Sequence, residues 1–142
     1  MTWVQAEADL YIQTMSDNLS KIEKQRVFLA EIDECVTGLC VAAIGRYAPD
    51  YVFIQRVAVV TPARKRGAGL ALMRATAESE PAHNIAGATL PDDHAAHALN
   101  AKLARSLESK VKEVPRRRFT PTDLGVGRNE RHRPWTIDRP ST

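Results

Sequence analysis

The chain has 142 residues, 44% of them apolar and 26% charged, with a net charge of +3. That length and apolar share suit one domain around a continuous core, and no apolar run approaches the roughly 18–20 residues needed to cross a bilayer. Met1-Thr2-Trp3-Val4-Gln5 has neither a basic lead nor an apolar block, so no secretory signal is expected, and Cys35 and Cys40 lack the second Cys or His pair of a zinc site.

Val4, Ala8, Tyr11, Met15, Leu19 and Ile22 recur at three- and four-residue intervals, which predicts an amphipathic helix over about residues 2–24. Ser16-Asp17-Asn18 is where it would divide, because these side chains compete for backbone hydrogen bonds. Residues 27–32 and 39–44 are short apolar runs around a polar, Gly-bearing turn at 33–38, a β-hairpin pattern. Residues 45–50 are loop chemistry around Pro49. Residues 51–60 (YVFIQRVAVV) are β-branched or aromatic almost throughout and form the strongest strand candidate, ended by Pro62.

A helix is predicted over 67–80, with Leu70, Met73 and Ala77 on one face and Pro81 beyond it. Residues 85–90 form a short strand. Pro91-Asp92-Asp93 opens a second helix over about 92–109, its acids suiting the positive end and its apolar face being Ala96, Leu99, Leu103 and Leu107. Beyond Lys110 the pattern dissolves. Residues 111–142 hold four of the eight prolines and eight Lys/Arg against four acids, so the tail carries +4 and the first 110 residues −1. The chain therefore divides into a domain at 1–110 and a basic Pro/Arg-rich tail at 111–142. Composition makes the tail extended; it is held by closing strands on the domain's own edge, by a second copy, or by a larger assembly. Trp135 is the anchor of that docking. Such a tail is more often solvated than bound to a polyanion, and nucleic acid is not an expected partner.

The segment that carries chemistry runs from Val57 to Leu72: a buried strand, a Pro, a basic Gly-containing loop, then a helix. First-turn helix N–H groups lack internal partners and carry partial positive charge. Gly67 and Gly69 allow a phosphate to approach the backbone, and Arg64, Lys65 and Arg66 add full charges. Neither a P-loop nor a three-glycine dinucleotide fingerprint is present.

Arg64-x-x-Gly67-x-Gly69 after a strand and a Pro resembles the signature loop of GCN5-related N-acetyltransferases, the GNAT family. The resemblance covers about residues 27–110. Residues 27–32, 39–44 and 51–60 stand as its strands 2, 3 and 4, 85–90 as strand 5, and Asp93-x-x-Ala96-x-x-Leu99-Asn100 as a variant of the following helix motif. It implies an α/β (α+β) fold: a mixed, mostly antiparallel central sheet flanked by helices, with an extended C-terminal tail. It also implies acetyl-CoA as co-substrate, its pyrophosphate held by Arg64, Lys65, Arg66, Gly67, Ala68 and Gly69. The pantetheine arm would lie in a slot between splayed strands, paired with the backbone of Val57 and Val59, and the N–H near Val59 would polarise the thioester oxygen.

Three departures stand beside the likeness. The family opens with a strand, whereas the first 26 residues have helical spacing. The place where many members carry a tyrosine general acid is Asn100. No carboxylate lies on residues 51–60 to act as base, so the catalytic residues are unknown. His94 and His97 fall near the expected slot but out of phase with the helix's apolar face, and His83 sits at a turn. Tyr47, Tyr51 and Phe53 are acceptor-pocket candidates that aromatic packing explains equally well.

The leading expectation is a cytoplasmic acetyl-CoA-dependent N-acetyltransferase acting on a small-molecule or protein amine. The alternative is a GNAT-fold structural protein, such as a virion or assembly component, that associates with copies of itself or with neighbours through 111–142.

Overall fold

Two β-strands stand where the helix over 2–24 was expected. A computed structural model of the chain describes residues 3–7, 10–16, 25–60, 67–127 and 131–140, and 2, 8–9 and 17–24 of the expected helix lie outside them. The strands are β1 (Trp3–Glu7) and β2 (Leu10–Ser16). β2 pairs antiparallel with β3 (Gln25–Ile32) without interruption, from Leu10 opposite Ile32 to Ser16 opposite Arg26. The three- and four-residue spacing misled because Tyr11, Ile12 and Thr14 are strong strand formers. A neighbouring strand with open hydrogen-bonding groups decides such a segment against its helical period. The opening strand of the GNAT pattern is thus not missing.

β3 turns into β4 (Cys35–Ile44) through Asp33 and Glu34 alone. Both have positive φ, 52° and 65°, the geometry of a two-residue hairpin turn. The expected Gly-bearing turn is therefore shorter, and Gly38 lies inside β4. A Cβ there would sit 3.0 Å from the Ala58 carbonyl oxygen of the next strand, so the glycine serves close strand packing.

β5 (Tyr51–Val59) continues the antiparallel order, and α1 (Ala68–Ser79) crosses to β6 (Asn84–Thr89), which pairs parallel with β5. After α2 (His94–Ser106), residues 111–127 and 131–140 return the chain to the same sheet. They comprise β7 (Val111–Glu113), a 3-10 turn at Arg116–Arg118, α3 (Pro121–Leu124) and β8 (Arg133–Ile137). The sheet has eight strands in the order β1-β2-β3-β4-β5-β6-β8-β7, with β5 and β6 its parallel pair. It is mixed, mostly antiparallel and flanked by helices.

One face of the sheet is closed by α1. Leu72, Met73 and Ala77 cover Phe28, Ala30, Cys40, Ala42, Val52 and Ile54 in a cluster that extends to Leu103, Ile137 and Trp135. The α1 core face includes Leu72 and Thr76, while Leu70 is only half-buried. On the other face Phe119 and Leu124 cover Phe53 and Ala86. The Phe119 ring stands edge-on to Phe53 at 5.0 Å and to Tyr51 at 5.1 Å. Phe53 thus belongs to the core, Tyr51 packs at its margin, and Tyr47 is exposed.

The tail is pinned by polar contacts as well. The buried Asp123 carboxylate accepts the Arg46 N–H at 2.8 Å and the Tyr47 N–H at 3.0 Å. The Arg139 guanidinium donates to the carbonyls of Ala77, Glu80 and His83, in the last turn of α1 and just beyond it.

Candidate functional site

β5 and β6 pair only from Tyr51 opposite Asn84 to Ile54 opposite Gly87. Beyond that point β5 runs on to Val59 and β6 to Thr89 with no ladder between them. The separation begins at a bulge: Val41 faces Arg56 but Ala42 faces Ile54, which leaves Gln55 as an extra residue on β5. A bulge bends its strand and raises its twist. Gln55 is held there by donating Nε2 to the Asp123 carbonyl at 3.1 Å, and Gly125, in left-handed conformation at φ 72°, packs on its side chain.

The open wedge is a cleft of about 770 Å³, within the usual range for small-molecule sites. One wall is β5 from Ile54 to Val59. The other is Ala88, Thr89 and Leu90 with Trp135, and α2 contributes Leu99, Asn100 and Lys102. The Val60 N–H donates to the Thr37 carbonyl at 2.8 Å, so by antiparallel alternation Ala58 also turns toward β4. The amides of Val57 and Val59 consequently face the cleft side of β5.

Gly67 caps α1 in left-handed conformation, φ 77° and ψ 18°, with no side-chain cap. The first helical bond runs from the Ala71 N–H to the Gly67 carbonyl at 3.0 Å, which leaves the N–H groups of Ala68, Gly69 and Leu70 without helical acceptors. No acidic residue lies in that first turn. Gly67 and Gly69 line the cleft; Ala68 is fully buried and does not. Gly69 has a second role, since a Cβ there would meet Leu99 Cδ2 at 3.1 Å, so it lets α1 and α2 approach closely. Arg64, Lys65 and Arg66 lie outside the described residues.

Neither His94 nor His97 lines the cleft; both are exposed, and His97 Nε2 lies 3.1 Å from the Leu90 carbonyl and 3.2 Å from that of Pro91. His83 also lies off the cleft, with Nδ1 3.4 Å from Glu80 Oε2. The imidazole on the cleft wall is His132, from the tail. No local pattern marked it, because only the pairing of β8 with β6 carries it there. Asp93 also lines the cleft, but its carboxylate caps α2 by accepting the Ala96 N–H at 3.1 Å. Asn100 is 5% exposed, and with Trp135 it surrounds Thr89, a residue that sequence patterns passed over.

The profile of the acetyltransferase (GNAT) family matches residues 2–104. The chain belongs to the GNAT acetyltransferase family. Solved GNAT structures share its fold at low sequence identity. The IAA acetyltransferase from Bacillus cereus ATCC 14579 superposes with a TM-score of 0.63 at 15% identity, over 91% of this chain and 99% of that one. The diaminobutyrate acetyltransferase EctA from Paenibacillus lautus, in complex with L-2,4-diaminobutyric acid and coenzyme A, gives 0.61 at 18% identity, over 79% and 69%. The ribosomal-protein-S18-alanine N-acetyltransferase from Escherichia coli gives 0.54 at 16%, over 85% and 70%. No curated relative matches the sequence. Within the described residues of this GNAT chain, no helix is long and apolar enough to cross a membrane.

Proposed function

We propose that the protein is an N-acetyltransferase that moves the acetyl group of acetyl-coenzyme A to an amine. The observation that carries this reading is the parting of β5 and β6 beyond Ile54 and Gly87, with an uncapped helix start at the far end of the opening. A thioester bound there supplies an activated acetyl group to the attacking amine.

The chain's own groups fit that co-substrate. The N–H groups of Ala68, Gly69 and Leu70, with Arg64, Lys65 and Arg66, receive the diphosphate. The cleft-facing amide of Val57 pairs with the amides of the extended arm as an added strand would. We place the N–H that polarises the acetyl carbonyl on the stretch from the Gln55 bulge to Val57, close to the parting of the strands, rather than at Val59. Fixed backbone donors of this kind stabilise developing negative charge without reorganising. The amine's proton passes to water or to the His132 imidazole. Holding both reactants in one cleft supplies much of the acceleration.

CoA and acetyl-CoA bound to related GNAT enzymes support the reading, as with the CoA of the Paenibacillus lautus EctA complex and the acetyl coenzyme A on a Bacillus anthracis protein assigned as a streptothricin acetyltransferase, TM-score 0.55 at 15% identity. Nothing supports the assembly-component alternative: these relatives are acetyltransferases, and the tail's β8 lies within the chain's own sheet. Calorimetry with CoA tests the proposal. Micromolar binding is expected, lost in Gly67→Trp with the fold retained by circular dichroism. No heat at millimolar CoA would sink it.

A further inference from the structure

Thr89 is the last residue of β6, two positions past the parting of the strands, and lines the cleft while only 7% exposed. Its hydroxyl oxygen accepts two hydrogen bonds. Asn100 Nδ2 reaches it from α2 at 3.1 Å, and Trp135 Nε1 from β8 at 2.9 Å. An indole nitrogen can only donate, and an amide NH₂ likewise. A hydroxyl has two lone pairs and one proton, so with the Asn100 amide presenting Nδ2 both acceptor sites are occupied and neither neighbour takes the proton. Among the described residues no acceptor for that proton is in place. The remaining direction is the cleft.

From this count we infer that Thr89 is a catalytic residue, a fixed hydrogen-bond donor to the sulfur that leaves the thioester, with Asn100 and Trp135 as the residues that position it. The inference rests on the acetyl-CoA reading above. With the diphosphate at Gly67–Gly69, beside Val59, the arm runs back along β5 toward Ile54. Five residues of strand span roughly 16 Å, which brings its distal end to the parting of the strands, next to Thr89. The balance is simple. The amine nitrogen forms the C–N bond, the C–S bond breaks, and its electron pair goes to sulfur. Thr89 donates a hydrogen bond to the resulting thiolate and keeps its proton. The thiolate is protonated by solvent on release, and the proton of the amine leaves through water or His132. Asn100, which holds the position of a family tyrosine, thus acts one step removed, by directing a hydroxyl.

The test uses the full chain with CoA itself as probe, so it needs no acceptor amine. Thiolate absorbance of bound CoA is titrated against pH, with ligand-free protein subtracted. A donor to the charged form lowers a pKa, so the wild-type midpoint is expected about one unit below that of free CoA. Thr89→Val removes the shift while changing the calorimetric Kd less than about threefold, and Thr89→Ser restores it. Asn100→Asp gives a second route: its carboxylate accepts a hydrogen bond from the Thr89 hydroxyl, turns that O–H from the cleft and removes the shift with Thr89 intact. Equal midpoints for wild type and Thr89→Val, both binding CoA, would overturn this inference and leave the cofactor reading standing. Failure of the wild type to bind CoA overturns both.

Discussion

Gly87 and Trp135 face each other directly across β6 and β8, and the indole Cζ2 lies 2.6 Å from where a Gly87 side chain would begin. The bare Cα at Gly87 therefore lets the indole sit close against β6 and donate to Thr89 Oγ1. Gly87→Ala is expected to push a rigid, buried ring off its seat and break that bond. Overpacking and the lost hydrogen bond together predict about 2–4 kcal/mol of destabilisation, measured by urea denaturation. An unchanged midpoint would mean the indole has room to move.

The hairpin turn offers the opposite sign. Glu34 is exposed and sits at φ 65°, a conformation unfavourable for a residue with a Cβ. Glu34→Gly would yield the Asp-Gly sequence preferred in such turns. Relief of strain outweighs the added freedom of the unfolded chain, and stability is expected to rise by about 0.5–1 kcal/mol. Paired urea melts of wild type and variant decide it; a loss of stability would show that the Glu34 side chain contributes more than its backbone costs.

Cofactor affinity is expected to follow the loop's charge. Replacing Arg64, Lys65 and Arg66 together with Gln should weaken CoA binding at least about a hundredfold, since even one charge-assisted hydrogen bond contributes about 1.5–3 kcal/mol. The salt dependence of binding should fall with it. CoA at a hundredfold excess over its Kd should stabilise the wild type by about 2.7 kcal/mol, read as a rise in melting temperature that the triple variant lacks at the same concentration. Undiminished affinity in the variant would place the diphosphate elsewhere.

Cys40 predicts a pH dependence. Burial raises its thiol pKa from 9.0 to about 11, opposed by a hydrogen bond with Thr76. The unfolded thiol ionises first, so its contribution is complete below pH 9.0 and is lost as pH rises toward about 11. Across that window the wild type should lose of order 2 kcal/mol more than Cys40→Ala. Urea denaturation at stepped alkaline pH measures the difference, and parallel curves would refute it.

Much of the site was legible because it is local. Gly67, Gly69 and the cations before them could be read as an anion-binding helix start, since helix ends are set by a few adjacent residues. Val57 and Val59 were legible as strand backbone for the same reason. Thr89 and His132 reach the cleft wall only through pairing across the sheet, and Asn100 through the packing of α2 beside it. The face of α2 shows the limit well: periodicity favoured Ala96, Leu99, Leu103 and Leu107, yet Asn100, Leu103 and Ala104 are the buried residues. An Ala-rich helix constrains its own rotation weakly, and Thr89 supplies the partner that makes a buried amide tolerable.

By itself the sequence determined the strand at the centre of the sheet, the two long helices and the basic glycine loop between that strand and the first of them, because each depends on contacts within a few residues. The tertiary structure alone decided three things: that residues 3–7 and 10–16 are strands, that the tail closes the sheet through β8, and that β5 and β6 part at Gln55. Each of these is a choice of partner for backbone hydrogen bonds between distant segments. Such a choice is made by the whole set of strands competing for edges, and no single segment carries it.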